Sequence, residues 1–169
     1  MNSQHTRCMV MNSSVIIALA EIGLMGIMAS LTAEVIIPRA VYEEVVVRGR
    51  GRPGSRELEE LVHQGKVKLL SPRDQALVEA LHDPLGLGEA EAIALAIEYN
   101  CVVVLDDRIA RSKVKSMGLE VIGTMALLRR AYDKGLVDRD GLVQALRKLR
   151  EHGFRISDEI IREVLEKLG

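Results

Sequence analysis

The chain has 169 residues, 48% of them hydrophobic and 28% charged, with a formal net charge of −1. That size carries one ordinary hydrophobic core and is short for two, and the apolar content excludes a disordered chain. Near-zero net charge excludes a globally basic nucleic-acid binder, so affinity for a polyanion has to come from local basic surface. With three Tyr, one Phe and no Trp, little ring surface is left for stacking on bases, and backbone contacts would have to dominate.

In chain order, Met9 to Met11 reads as a short strand that runs into Asn12-Ser13-Ser14, where Ser13 or Ser14 can cap a helix carrying Val15, Ile16, Leu19 and Ile22. The apolar run from Val15 to Leu31 is broken by Glu21, Gly23, Gly26 and Ser30, so it falls short of a membrane span of ~20 uninterrupted apolar residues. No basic leader with a small-residue cleavage site precedes it, so the expectation is a cytoplasmic protein. Cys8 and Cys101 each adjoin an apolar run and read as small buried thiols rather than a disulfide, as suits a reducing interior. Residues 1–8 are expected to be a flexible amino terminus, and 9–169 a single domain.

Val35 to Ile37 repeats the strand, with Pro38 near a helix start and Val41, Tyr42, Val45 and Val46 at helical intervals. "RGRGRPGSR", Arg48 to Arg56, fits neither element. Then come a helix over "RELEELVHQG" ended by Gly65, a strand in "KVKLL" and a helix in "RDQALVEALH" before Asp83-Pro84. "LGLGEAEAIALAIEYN" gives the strongest helix, opening at Gly88 and apolar nearly all round, which predicts a central position. "CVVVLDD" is a continuous β-branched run of the kind covered on both faces in a parallel sheet, and "LEVIG" after Gly118 is a weaker version. Helices are expected over Arg108 to Met117, Thr124 to Lys134, about Asp138 to Glu151, and Ser157 to Leu168. The alternation predicts an α/β fold with a mainly parallel twisted sheet and right-handed crossovers, extended by helices from about residue 138. No internal repeat is present.

In such a sheet ligands gather outside the carboxyl ends of the strands. Two strands here end in polar residues, Asn12-Ser13-Ser14 and Asp106-Asp107-Arg108. The helix opening at Gly88 adds Glu89 and Glu91, and the one opening at Pro38 adds Glu43 and Glu44. Glu44 shares the side of Val41 and Val45 and is the better inward candidate. Carboxylates gathered at one pole repel each other unless a cation is bound, and hard oxygen donors suit Mg²⁺ or Mn²⁺. Such ions can hold a phosphodiester and assist in-line attack by water.

The set "VMNSSVIIALA", "IPRAVYEEV", "GLGEAEAIALA" and "VVVLDDR", followed by "VIGT", resembles the PIN-domain family, especially the toxin-like ribonucleases of prokaryotic toxin–antitoxin pairs. The resemblance covers about Met9 to Leu128, and the carboxy-terminal "EHGFRISDEIIREVLEKLG" looks like the tail of one prokaryotic subgroup. It implies a three-layer α/β/α domain, usually dimeric, that cuts single-stranded RNA with Mg²⁺ or Mn²⁺ and pairs with an antitoxin protein. By motif the first acid falls on Asn12, the second on Glu44, the third on Glu89, the last on Asp107 or its neighbour Asp106, and the small hydroxyl residue on Ser14. The first position is usually Asp. Asn keeps the shape and a carbonyl oxygen but removes a charge, so the fold should survive while metal affinity falls. A catalytically silent module that binds RNA or a protein partner is the competing expectation.

Arg48, Arg50, Arg52 and Arg56, and Arg108, Arg111, Lys113 and Lys115, are candidates for contact with an RNA backbone, against the ordinary role of solvated surface charge. The four His residues, at 5, 63, 82 and 152, lack metal-ligand spacing and receive no role. Ile160, Ile161, Val164, Leu165 and Leu168 form an apolar stripe expected to pack on the chain's own core.

Overall fold

A computed structural model describes residues 8–168. At its centre lie five strands, β1 (Cys8–Met11), β2 (Glu34–Pro38), β3 (Lys68–Leu70), β4 (Val102–Val104) and β5 (Val121–Ile122), all parallel and in the order β3-β2-β1-β4-β5. The helices are α1 (Ser13–Glu21), α2 (Arg39–Tyr42), α3 (Ser55–His63), α4 (Gln75–His82), α5 (Leu87–Tyr99), α6 (Arg108–Ser116), α7 (Thr124–Asp133), α8 (Arg139–Glu151) and α9 (Asp158–Glu166). Sequence order runs from β1 through β2 to β3 toward one edge and from β4 to β5 toward the other. The switch point therefore lies between β1 and β4, and both strands deliver their carboxyl ends there.

Period-two alternation along the strands sorts the core into two layers. Met9 and Met11 of β1, with Val35 and Ile37 of β2 and Val104 of β4, pack beneath α1, α3, α7, α8 and α9. Cys8 and Val10, with Ile36, Val103 and Leu105, pack beneath α4, α5 and α6. This is the expected three-layer α/β/α arrangement. Helix α5 is buried along Gly88 and from Ala90 to Ala96, as its all-round apolar sequence predicts. Ile161 is buried, and Ile160, Val164, Leu165 and Leu168 pack against the first layer, so the apolar stripe of α9 is used internally.

Three local features were not expected. The apolar stretch after α1 forms a six-residue 3-10 turn, Met25–Ser30, and α2 widens after Tyr42 into a π-helical turn, Glu43–Val47. The third departure is chemical: Cys8 and Cys101 are not free thiols but a disulfide, with Cα atoms 5.0 Å apart and a sequence separation of 93. The reason is register. Met9 pairs with Val102, so the residues just before them lie side by side at the amino ends of β1 and β4. The expected flexible segment 1–8 lies outside the described residues except for Cys8, which opens β1 and is buried. Among the described residues no helix is long and apolar enough to cross a membrane.

Candidate functional site

Asn12 leaves β1 in extended conformation (φ −92°, ψ 161°) as the N-cap residue of α1. Its N–H donates to the Val104 carbonyl at 3.0 Å, and its own carbonyl accepts from Ile16 N–H at 3.3 Å. That pairing ties the first polar strand end to β4. The residue is only 6% exposed, yet among the described residues its side chain makes no hydrogen bond, not even the capping bond usual for Asn at this position. A buried amide without a partner is costly.

The start of α5 lies against it. Gly88, in the first turn of α5, has no side chain where one would meet three atoms: a Cβ there would lie 3.2 Å from Val41 Cγ2, 3.5 Å from Asn12 Oδ1 and 3.7 Å from Glu44 Oε1. Glycine lets α5 start close against α2 and β1, and two oxygen-bearing side chains converge on the space it leaves. Glu44 rides on the widened turn after α2, and its Oε1 accepts a 3.0 Å hydrogen bond from Ser13 Oγ. The hydroxyl at this site is thus Ser13, buried at 4%, while Ser14, which the motif comparison selects, is exposed. Helical spacing carried the signal: Ser13 lies three residues before the fully buried Ile16, whereas Ser14 precedes the half-buried Ile17.

The remaining acids are held by helix starts. Asp106 receives the Thr124 N–H at 2.8 Å on Oδ1 and the Thr124 hydroxyl at 2.6 Å on Oδ2, which fastens the end of β4 to the beginning of α7. Asp107 is exposed and caps α6, its Oδ2 accepting from Ala110 N–H at 2.8 Å. Glu89 is half-buried and folds back on the start of α5, where a Cβ on Gly86 would lie 2.7 Å from its Oε1. Glu91 is buried, its Oε1 accepting from Ala40 N–H at 2.8 Å, and it anchors the start of α2 to α5. Among the described residues no group of three or more His, Cys, Asp and Glu is gathered closely enough to hold a metal.

What the fold brings together is therefore narrower than the expected ring of acids. Asn12 and Glu44 meet over Gly88, with Ser13 orienting Glu44, while Asp106, Asp107 and Glu89 serve neighbouring helix amino termini. The donors still fit a hard cation in kind. Asn12 Oδ1 is unpartnered, Glu44 and Asp107 each keep an oxygen without a hydrogen-bond partner among the described residues, and Mg²⁺ is commonly held by one or two carboxylates with water completing its shell.

The basic residues fall into two concavities. Arg108, Arg111, Ser112 and Lys115 line one of about 240 Å³ together with Asp106, and a Cβ on Gly123 would run into the Arg111 guanidinium and lie 2.7 Å from Asp106 Oδ1. Arg50, Arg52 and Arg56 line another at the head of α3. Arg48 and Lys113 are exposed and line neither of the two.

A family model, DUF3368: PIN domain, matches residues 8–169. No curated protein matches the chain.

Proposed function

Because the chain belongs to the PIN-domain family, a family whose fold points to nuclease chemistry, we propose that it is a Mg²⁺- or Mn²⁺-dependent endoribonuclease acting on single-stranded RNA and attenuated by Asn12. The observation that carries this reading is the buried, unpartnered carboxamide of Asn12, whose Oδ1 borders the space left by Gly88 together with Oε1 of Glu44, an acid that is exposed rather than turned inward as expected. A folded protein tolerates such a group where a ligand completes its bonding.

In this reading Asn12 and Glu44 would hold the ion with water completing its shell, and Glu89, Asp106 and Asp107 would act on it through that water from the neighbouring helix starts. When bound, the ion supplies positive charge for attack of water on a phosphodiester and for the leaving oxygen. The chain's own groups do the positioning. Ser13 fixes Glu44, Thr124 fixes Asp106, and Gly88 keeps the start of α5 close to Asn12 and Glu44. Arg108, Arg111 and Lys115 attract the phosphate backbone beside Asp106. Ser14 touches nothing that supports a direct role. The toxin role, an antitoxin partner and a homodimer belong to the same proposal, as does a single domain spanning residues 9–169. A cytoplasmic location rests on RNA as the substrate, since the cysteines form a disulfide.

Cleavage of a single-stranded RNA with and without Mn²⁺, beside a Glu44→Gln variant, tests the reading. Metal-dependent cleavage lost in the variant is the expected result. The second reading, a silent module that binds RNA or protein, is favoured by Asn12 itself. It is adopted if neither the native chain nor Asn12→Asp cuts RNA at any Mn²⁺ concentration.

A further inference from the structure

The segment after the Glu44 turn carries Arg48, Arg50, Arg52 and Arg56, and its course is held at several points. Gly49 packs on the turn so tightly that a Cβ would lie 2.9 Å from the carbonyl oxygen of Glu44 and 2.5 Å from that of Val45. Gly51 and Gly54 have φ of 84° and 93°, in the region that favours glycine. Ser55 is buried and its Oγ donates to the Val46 carbonyl at 3.2 Å.

This loop walls an open concavity of about 440 Å³, lined by Arg50, Arg52 and Arg56 with a single carboxylate, Glu59. Among the described residues none of the three guanidinium groups forms an ion pair, whereas Arg73, Arg129 and Arg150 each do. Three unpaired like charges facing one concavity repel each other, and an anion placed among them removes that repulsion and accepts directed hydrogen bonds. The volume exceeds what a single tetrahedral anion fills. Its wall grows from the same turn that presents Glu44.

We propose that this cavity is a phosphodiester subsite that grips the RNA strand outside the acidic pole, two or more backbone phosphates at a time. It rests on the RNA reading above. Guanidinium groups read the backbone without regard to base, which suits a chain poor in aromatic side chains.

The test is fluorescence anisotropy in EDTA with RNA oligomers of about 4 and about 16 nucleotides, titrated over roughly 50 to 300 mM KCl. The proteins are the native chain, an Arg50→Ala/Arg52→Ala/Arg56→Ala variant, and an Arg147→Ala/Arg155→Ala/Arg162→Ala control that removes equal charge from the carboxy-terminal part. All six arginines are exposed, so thermal melts of the three proteins should coincide. The native chain should bind the longer oligomer more tightly and with a steeper salt dependence. The cavity variant should lose most of that gain, its slope falling by about 2, at about 0.7 for each phosphate that an arginine no longer neutralises, while the control keeps it. A cavity variant with the native slope, a control that falls equally, or no RNA binding by the native chain would overturn the subsite. Omitting the metal separates the two proposals. Arginine-dependent binding without cleavage in Mn²⁺ retains the subsite and rejects the nuclease, and cleavage with an unchanged slope in the cavity variant does the reverse.

Discussion

Glu91 is the acid on which the geometry makes the sharpest claim, because it is buried at 9% exposure and its Oε1 accepts the Ala40 N–H at 2.8 Å. Ala40 lies in the first turn of α2, where backbone N–H groups have no intrahelical acceptor, and is itself buried. A hydrogen bond to an ionised group contributes about 1.5–3 kcal/mol, and a buried N–H left unpaired costs a similar amount. Glu91→Ala, which removes the acceptor and leaves a void, should therefore destabilise by about 3 kcal/mol. Glu91→Gln keeps a neutral acceptor and should cost about 1 kcal/mol. At roughly 2–4 °C per kcal/mol for a chain of this size, Tm falls by about 6–12 °C for Ala and about 2–4 °C for Gln. Thermal unfolding followed by circular dichroism at neutral pH measures both. An Ala variant melting within about 2 °C of the native chain would refute the anchoring role. A Gln variant of near-native Tm that abolished metal-dependent cleavage would show that Glu91 takes part in the chemistry.

Asp107→Ala should cost about 1 kcal/mol from the lost α6 cap, whereas Asp107→Ser keeps a capping oxygen and should melt near the native chain while still losing metal-dependent cleavage. Equal activity of Asp107→Ser and the native chain would restrict Asp107 to its capping role. Reduction of the Cys8–Cys101 bridge, which spans 93 residues of separation, should lower stability by about 2–5 kcal/mol; denaturant unfolding with and without dithiothreitol measures this, and superimposable curves would show that the bridge contributes nothing. The Arg150 guanidinium hydrogen-bonds Asp158 at 2.7 Å and holds its carboxyl below the ordinary value of 3.8. A carboxyl depressed in the folded state stabilises fully above its unfolded pKa, and that contribution is lost as pH falls through the folded value. Melts should therefore show a small extra loss on acidification below about pH 4, absent in Asp158→Asn; identical acid limbs for the two proteins would refute it.

Much of the architecture is legible in the side-chain pattern because the sheet is buried on both faces. "CVVVLDD" and "VIIP" had to be strands, and an all-apolar α5 had to be central. The site was less legible, since a carboxylate at a strand end has the same sequence signature whether its lone pairs face a cation or a helix amino terminus. Asp106 is committed to Thr124, 18 residues on, and Glu91 to Ala40, 51 residues back; neither partner is marked by local spacing. Ser13 and Ser14 differ by one position, which rotates a helical side chain by about 100° and decides which hydroxyl meets Glu44. The disulfide depends on the β1–β4 register, which no short window of sequence contains. Asn12, by contrast, was identifiable from its place after a buried strand, though not the lack of any partner for its amide.

Isothermal titration of Mn²⁺ into the native chain and into Asn12→Asp tests the central claim most directly, because it reads the site without requiring turnover. Restoring a carboxylate opposite Glu44 should raise Mn²⁺ affinity by about tenfold or more, or about 1.4 kcal/mol, and Glu44→Gln should abolish the gain. Superimposable isotherms for Asn12 and Asn12→Asp would contradict the account.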